Sequence, residues 1–323
     1  MTGTKAGKFL RGKIAALIAI IIVVGAIFTI ANKSYISPKN IMSLMTSISL
    51  SGTLAVGLGC LLISGHVDLA SGTEGCIAGI VVALLLGTGM PWPVALLLTV
   101  VFGCVMGLVH AFLVHVLGFM AFIATIGMSS VYKGLALVIS NGANVSISNQ
   151  AFYTIGSGSL GIFPLPFIIM TVLFIVYSLI LKYTKFGRAV YLCGGNVNAA
   201  RLAGVSPKRV STILFVNCGA ISALAGAIFA ARVHMGGPNN VWGAEMDGIA
   251  AAVLGGVSFM GGSGNLGGAF VGLILINAFN NGLNAIGLQA YWQTAAQGVI
   301  LIAALLVDYF GERGRVRALK AAS

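Results

Sequence analysis

The sequence predicts an all-α polytopic membrane protein with about ten transmembrane helices, some of them short or broken. Of its 323 residues, 58% are hydrophobic and only 7% are charged, whereas soluble domains carry about 25% charged residues. The 45 glycines fit the same class, since glycine is more frequent in transmembrane helices than in soluble ones. The apolar residues also form long runs, as required of segments that need about 20 residues to cross a bilayer.

These apolar runs divide the chain into ten predicted spans with approximate edges. They are 14–30, 41–63, 70–89, 93–117, 120–140, 163–183, 210–231, 247–260, 265–285 and 292–310. The eighth is short enough for a half-helix or a re-entrant segment, which is tolerated only inside protein or beside a water-filled cavity. The third and fifth carry Glu74 and Lys133. Loss of two spans together would keep the same orientation, so eight spans also fit.

Basic residues indicate how the spans are oriented. With the amino terminus inside, most of the 18 lysine and arginine residues fall in three internal segments. These are the N-terminal residues 1–13, the loop 182–209 and the tail 311–323. Residues 14–310 are predicted to form a single transmembrane domain that contains this loop. The asymmetry follows the positive-inside rule and places both termini in the cytoplasm. No small-residue cleavage site follows the first run, so we expect a retained span; a cleaved signal peptide is the alternative.

Charge and motif content weigh against several classes of protein. The net charge is +12, but the basic residues flank apolar runs, so we expect no nucleic-acid partner. The five cysteines form no C-x-x-C pair and the four histidines no ligand pattern, so neither disulfides nor a metal site is predicted. The sequence has no G-x-x-x-x-G-K-[ST] phosphate loop. We therefore expect no enzyme activity and no cofactor in this chain.

A glycine-rich stretch, MGGSGNLGGAF (260–270), contains G-x-G-x-x-G at Gly262, Gly264 and Gly267. In dinucleotide-binding proteins this spacing follows a strand and precedes an acidic residue about 20 positions on. Here both flanks are membrane-like, and residues 282–292 contain no acid. We interpret the stretch as a tight internal turn between closely packed helices. Three further pairs have a G-x-x-x-G spacing that lets helix backbones touch: Gly75/Gly79, Gly103/Gly107 and Gly268/Gly272.

Ionisable residues in or near the spans are costly in lipid and frequently functional. Asp68 lies between the second and third spans, where it could cap a helix or contact a substrate. Lys133 could snorkel out of its span or pair with Glu74 or Asp68. Three charged residues bracket an external polar stretch that is either a docking surface or a solvated loop: Arg232, Glu245 and Asp247.

The internal loop 182–209 is too short for a catalytic domain and longer than a turn requires, and such loops are frequently functional. After the Gly-Gly break at 194–195, NVNAARLAG predicts a short helix with small residues on its surface. Gly204 and Pro207 are expected to end this helix. A short helix held off the membrane by basic flanks fits a cleft in another protein. The residues thus indicate a membrane protein with a cytoplasmic partner, such as a motor.

Four segments stand in this order along roughly residues 40–310: GHVDLASG, FIATIGMSSVYKGLALVIS, FGRAVYLCGGNVNAARLAGV and a long block from EMDGIAAAV to AYWQTAAQGVILIAALLVD. Together they resemble the permease subunits of bacterial sugar ABC importers, in the ribose/galactoside branch. The third segment resembles the cytoplasmic loop of that family. The fourth resembles its E-L-D-A-I-A-A-x-V-[LV]-G-G block.

The resemblance implies a type II ABC importer permease of the bacterial inner membrane, working with a second copy or a paralogue. Its further partners would be a cytoplasmic ATPase subunit that holds ATP and Mg²⁺, a periplasmic or lipid-anchored sugar-binding protein, membrane lipid, and a galactose- or ribose-like monosaccharide. The matching loop residues would couple to the ATPase: Gly194, Gly195, Asn196, Ala199, Ala200, Arg201, Leu202, Ala203 and Gly204. Candidate path or gate residues are Asp68, Phe122, Thr125 and Asn141; candidate binding-protein contacts are Arg232, Glu245 and Asp247.

Some positions depart from the family pattern, so no sugar contact is assigned to them. Ala70 stands where the family has Ser, His66 where a small residue is usual, and Ser263 where Lys or Arg is frequent. Two other classes stay open. An ion-coupled secondary transporter often has ionisable residues at the midplane, and this chain has few acids there. A lipid-modifying enzyme would need a clustered His/Asp/Glu constellation, for which the sequence gives no motif.

Overall fold

A computed structural model describes residues 5–289 together with positions 292, 295, 298, 299 and 302. The predicted tail 311–323 and almost all of the predicted span 292–310 lie outside the described residues. The helices are α1 (Lys5–Ala31), α2 (Pro38–Ile63), α3 (Ser71–Gly87), α4 (Trp92–His115), α5 (Ala121–Ile139), α6 (Gln150–Ser157), α7 (Leu165–Tyr183), α8 (Lys185–Gly195), α9 (Val197–Leu202), α10 (Pro207–Val233), α11 (Ala244–Leu254) and α12 (Leu266–Ala285).

The all-α polytopic fold is confirmed. Within the described residues, seven helices are long and apolar enough to cross a membrane: α1, α2, α4, α5, α7, α10 and α12. The predicted third span is the shorter apolar helix α3, with 17 residues. The predicted short eighth span is α11, with 11 residues. The total of ten spans stays a prediction. The helices α3 and α11 are shorter than the about 20 residues that a span needs, and almost all of the last predicted span lies outside the described residues.

Helix starts follow from local sequence signals. Ser37 precedes Pro38 and accepts a hydrogen bond from the Asn40 N–H at 3.3 Å, and proline suits the first turn because it lacks an N–H that would be unpaired there. Asn265 begins α12 in the same manner, accepting from the Gly268 N–H at 2.6 Å. The start of α10 at Pro207 likewise agrees with the predicted stop at that residue.

Glycine contacts bring the helix backbones of the core together. A Cβ atom added at Gly107 would lie 2.2 Å from the Phe215 carbonyl oxygen, and one at Gly103 would lie 2.4 Å from that of Gly219, so α4 packs directly on α10. One at Gly272 would lie 2.4 Å from the Ala251 carbonyl oxygen, so α12 packs as closely on α11. These contacts confirm the predicted helix packing at G-x-x-x-G pairs.

The two ends of the helical bundle differ. At one end, two short antiparallel pairs and α6 form a small cap: β1 (Val145–Ser146) with β4 (Met235–Gly236), and β2 (Ser159–Leu160) with β3 (Phe163–Pro164). At the other end, here called the α9 end, the α2–α3 linker, α8, α9 and the loop before α12 meet. The internal loop predicted at 182–209 corresponds to α8 and α9, with the last residues of α7 before them and the first residues of α10 after them.

Candidate functional site

The short helix α9 is closed at both ends by its own sequence. The Asn196 side chain accepts hydrogen bonds from the Asn198 and Ala199 N–H groups, each at 3.0 Å. At the other end, the Val205 N–H donates to Ala200 at 2.9 Å and the Gly204 N–H to Arg201 at 3.0 Å. This is the Schellman arrangement, in which a left-handed residue ends the helix; Gly204 supplies it with φ +76°. Six helical residues are thereby held in one conformation.

One face of α9 is packed and the other is open. Ala200 is fully buried, which anchors the helix on the bundle. Leu202 is 91% exposed and Val197 is 45% exposed, and Arg201 and Asn198 are also exposed. The outer part of α9 therefore has a nearly fully exposed leucine and a half-exposed valine that are free to contact another molecule.

Behind α9, backbone packs on backbone at a site here called the glycine junction, made of Ile63, Gly194, Gly195, Gly261 and Gly262. A Cβ atom added at Gly194 would lie 2.0 Å from the Ile63 carbonyl oxygen, and one at Gly262 would lie 2.5 Å from the Cα of Gly195. The Gly262 N–H donates to the Ile63 carbonyl at 2.8 Å. The junction therefore joins the end of α2, the end of α8 and the loop before α12.

The loop before α12 is the stretch that contains the G-x-G-x-x-G spacing. Gly261, Gly262 and Gly264 have φ of +86°, +74° and +126°, which L side chains rarely adopt. The Tyr191 hydroxyl donates to the Gly264 carbonyl at 2.8 Å, which adds a second link from α8. The glycines thus allow a tight turn and a close approach of backbones, in agreement with the predicted tight turn.

The four candidate path residues do not form one cluster. The Thr125 hydroxyl accepts a hydrogen bond from the Leu69 N–H at 3.1 Å, which ties the start of α5 to the linker that contains Asp68. Phe122, one turn earlier, is 48% exposed. Asn141 has φ +51° and follows the opposite end of α5. The structure therefore brings Asp68 and Thr125 to the α9 end, while Asn141 lies at the other end; their roles in a path stay predictions.

The three candidate docking residues also differ in their surroundings. Arg232 is half-buried and donates through Nη1 to the Thr46 carbonyl at 3.3 Å. Glu245 is buried, and its carboxylate lies where a side chain at Gly72 of α3 would be. Asp247 is half-buried. A shared exposed surface is not apparent at these residues, and their contact with a binding protein stays a prediction.

Of the two alternatives given for Lys133, the pairing with Glu74 or Asp68 is wrong. Lys133 donates to the Pro238 carbonyl at 2.9 Å and contacts the Asn239 side chain. Asp68 instead lies beside His110: its Oδ2 is 2.9 Å from Nδ1 of that imidazole. Its Oδ1 accepts from the Ala70 N–H at 2.9 Å, but Ala70 is itself the N-cap residue of α3 and no side chain caps that helix, so the predicted capping role of Asp68 is wrong.

Sequence reasoning missed the importance of His110 and Glu74. Glu74 Oε1 lies 3.6 Å from His110 Nδ1, and both side chains are fully buried. Both residues lie inside predicted spans, where ionisable groups are costly. That cost was the available signal, but sequence spacing alone did not connect α3 with α4.

The His66 imidazole lies near this region, in the α2–α3 linker. Burial and the neighbouring His115 lower the pKa of His66, because both disfavour its charged form. The Ser64 hydroxyl lies 3.2 Å from its Nδ1. His66 is therefore a neutral, half-buried imidazole at the α9 end.

Residues 40–305 match the family model of the permease component of the branched-chain amino acid transport system. The chain belongs to this permease family. It is therefore a multi-pass membrane transport subunit, and the matched range contains α9 and the glycine junction.

Several relatives resemble this permease over most of their length. The ribose import permease protein RbsC of Bacillus subtilis is 33% identical over 284 residues, 87% of this chain and 88% of the relative. The L-arabinose ABC transporter permease protein AraH of Azospirillum brasilense is 31% identical over 95% of this chain and 90% of the relative. The xylose transport system permease protein XylH of Haemophilus influenzae is 27% identical over 90% of this chain and 94% of the relative.

The first prediction concerns the cap of α9 in the permease. Replacing Asn196 by Ala removes the acceptor for two N–H groups and is expected to cost about 1 kcal/mol of local helix stability. Hydrogen exchange of the Asn198 and Ala199 amides should then be about fivefold faster. As a control, Asn149→Ala removes the matching cap of α6 and should leave α9 unchanged. Equal exchange in the Asn196 variant and the parent would contradict the capping role.

Proposed function

We propose that this permease is the transmembrane subunit of an ATP-driven ABC importer for a monosaccharide. The family assignment and the ribose, L-arabinose and xylose permeases among its relatives support this proposal. The chain contains no phosphate-binding loop, so ATP and Mg²⁺ would be held by a separate ATPase subunit. Which pentose or hexose is carried is left to the transport assay.

The observation that carries the proposal is the rigid α9 with its open face. Leu202 and Val197 project from the bundle, while Ala200 and the glycine junction hold the opposite side. A force applied by an ATPase cleft to α9 would reach α2 and the loop before α12 through main-chain contacts. We therefore assign coupling to the segment Gly194–Gly204, with the exposed residues as its contact surface.

The proposed orientation places the α9 end in the cytoplasm and the β1–β4 cap outside. The basic loop 182–209 supports it, since cytoplasmic loops collect Lys and Arg. Both termini would then be cytoplasmic, in the bacterial inner membrane. Exposed apolar side chains along α4 and α5, such as Leu97, Val105 and Ile123, would face lipid or the second permease subunit. An external sugar-binding protein would supply the affinity and selectivity that a transient path lacks.

The second prediction separates ATP-driven uptake from ion-coupled uptake. The permease is reconstituted in liposomes with its ATPase and binding protein, and uptake of radiolabelled ribose, L-arabinose and xylose is measured. We expect uptake of one or more of these sugars only with ATP on the α9 side, with no effect of ionophores that collapse proton and sodium gradients. A non-hydrolysable ATP analogue serves as the matched control. Uptake driven by an ion gradient without ATP would overturn the proposal in favour of a secondary transporter.

A further inference from the structure

A compact cluster of three ionisable side chains lies inside the bundle near the α9 end. It consists of Asp68 from the α2–α3 linker, Glu74 from α3 and His110 from α4. His110 Nδ1 is 2.9 Å from Asp68 Oδ2 and 3.6 Å from Glu74 Oε1. One donor atom from each residue lies within 4.8 Å of the other two, and all three side chains are fully buried.

The hydrogen bonds within the cluster leave much of it without partners. Neither carboxylate oxygen of Glu74 has a hydrogen bond of good geometry, and neither does Nε2 of His110; the Ser222 hydroxyl of α10 lies beside Glu74 as a neighbouring donor. Buried polar groups in native proteins are normally paired, and a carboxylate buried without a partner is especially costly. The two Glu74 oxygens therefore point to something further that binds among these side chains.

Charge balance indicates what that ligand is. Two buried carboxylates and one protonated imidazole sum to a single negative charge. Within the described residues, no Lys or Arg forms an ion pair with either carboxylate; Lys133 contacts Pro238 and Asn239 instead. A dication bound by two carboxylates and a neutral imidazole makes the cluster neutral. Such neutrality matters because an unbalanced buried charge is strongly destabilising.

We propose that Asp68, Glu74 and His110 form a binding site for a divalent transition-metal ion of the Mn²⁺ to Zn²⁺ class. One imidazole nitrogen with two carboxylate oxygens suits these ions rather than Ca²⁺ or Cu⁺. Ligand atoms on such an ion lie about 2.0–2.2 Å from it, which places neighbouring ligand atoms about 3 Å apart. The 2.9 Å separation of His110 Nδ1 and Asp68 Oδ2 is a hydrogen bond in this structure, so the ion would displace the proton between them into solvent. Both separations, 2.9 and 3.6 Å, are close to that between neighbouring ligand atoms.

The protein already orients one of these ligands. The Ala70 N–H donates to Asp68 Oδ1 at 2.9 Å, which leaves Oδ2 directed at the other two side chains. Supporting hydrogen bonds of this kind fix the ligand atoms of metal sites. Bound metal would tie the α2–α3 linker to α3 and α4, next to the helix ends that form the glycine junction.

Further imidazoles connect the cluster with the α9 end. His66 and His115 are half-buried, and both rings contact Phe215, with ring centroids 5.7 and 6.3 Å from it. The His110 ring contacts the same phenylalanine at 6.2 Å. These side chains form a continuous path from the bundle end to the buried cluster.

The third prediction tests this site on the purified full-length chain, without its partners, so its outcome is independent of sugar transport. After dialysis against Zn²⁺, we expect about one bound ion per chain by mass spectrometry. With Mn²⁺, pulsed electron paramagnetic resonance should show ¹⁴N coupling from an imidazole, which changes on ¹⁵N-histidine labelling. The double variant His66→Gln/His115→Gln should retain that coupling, because only His110 supplies a ligand.

A matched pair of variants identifies the ligands. Glu74→Gln preserves shape but removes a charged ligand, and it should weaken Zn²⁺ binding at least about tenfold. Asp247→Asn removes a carboxylate on α11 and should leave binding unchanged. Gel filtration and thermal unfolding check that each variant folds; if Glu74→Gln does not, the ¹⁵N result on the parent decides. Absence of stoichiometric binding, absence of the nitrogen coupling, or equal affinity in Glu74→Gln would overturn the site and leave a cluster neutralised by protons.

Discussion

Replacing Leu202 by Asp is expected to abolish ATP-driven sugar uptake while leaving the permease folded. Leu202 is 91% exposed on α9, so a charge there costs the isolated chain almost nothing. In the assembled transporter the same side chain would enter an apolar cleft of the ATPase, where an unpaired carboxylate costs several kcal/mol. A loss of 3 kcal/mol is more than a hundredfold in binding. Copurification with the ATPase and sugar-stimulated ATP hydrolysis measure the effect.

The control is a similar substitution at the opposite end of the bundle. Leu160 in β2 is 66% exposed, so Leu160→Asp introduces the same charge far from α9. It should leave copurification with the ATPase unchanged. Normal assembly and normal sugar-stimulated hydrolysis in the Leu202 variant would show that α9 is not the contact surface.

Replacing Gly194 by Ala is expected to disrupt the glycine junction and with it both stability and transport. The added methyl group would lie 2.0 Å from the Ile63 carbonyl oxygen and 2.6 Å from the Gly262 nitrogen. Because both atoms belong to the main chain, no rotamer change relieves the overlap. Overpacking of this kind costs about 1–3 kcal/mol, and more where backbone must move. Thermal unfolding in detergent should show a clearly lower midpoint than the parent.

The neighbouring glycine supplies the matched control. A methyl group at Gly195 meets only the Gly262 Cα, at 3.8 Å, an ordinary van der Waals distance. Gly195→Ala should therefore stay within about 0.5 kcal/mol of the parent and retain uptake. Equal midpoints for the two variants would mean that the junction yields easily and does not transmit force.

Long apolar runs made much of this fold predictable. The bilayer demands helices of a certain length, so α2, α7 and α12 follow closely from hydrophobicity and from caps such as Asn265. Glycine spacing also predicted that α4 packs closely on another helix, but not that this helix is α10. The stretch from Arg232 to Asp247, which runs from the end of α10 to the start of α11, was harder, because its charges were interpreted as surface charges. The buried Glu245 shows that a polar stretch between spans can be covered by neighbouring helices.

The candidate site was predictable where its chemistry lies within one segment. Asn196 begins α9 and Gly204 ends it, and both limits follow from short-range capping signals in the sequence. The Asp68–Glu74–His110 cluster was not predictable, since Asp68 and His110 are 42 residues apart and meet only after α3 and α4 pack. The contact of the glycine-rich loop with Ile63 was hidden for the same reason: main-chain atoms make it, and they leave no trace in side-chain patterns.

That main-chain contact has a consequence for how such importers diversify. Where main-chain atoms form an interface, a side chain added at a glycine such as Gly194 overlaps them, so the glycine junction behind α9 has little freedom to vary. If α9 is the contact surface as proposed, the choice between ATPase subunits would depend on its exposed residues, Val197, Asn198, Arg201 and Leu202. We then expect that exchanging those four side chains between two importers exchanges their ATPase subunits and leaves the glycine junction unchanged.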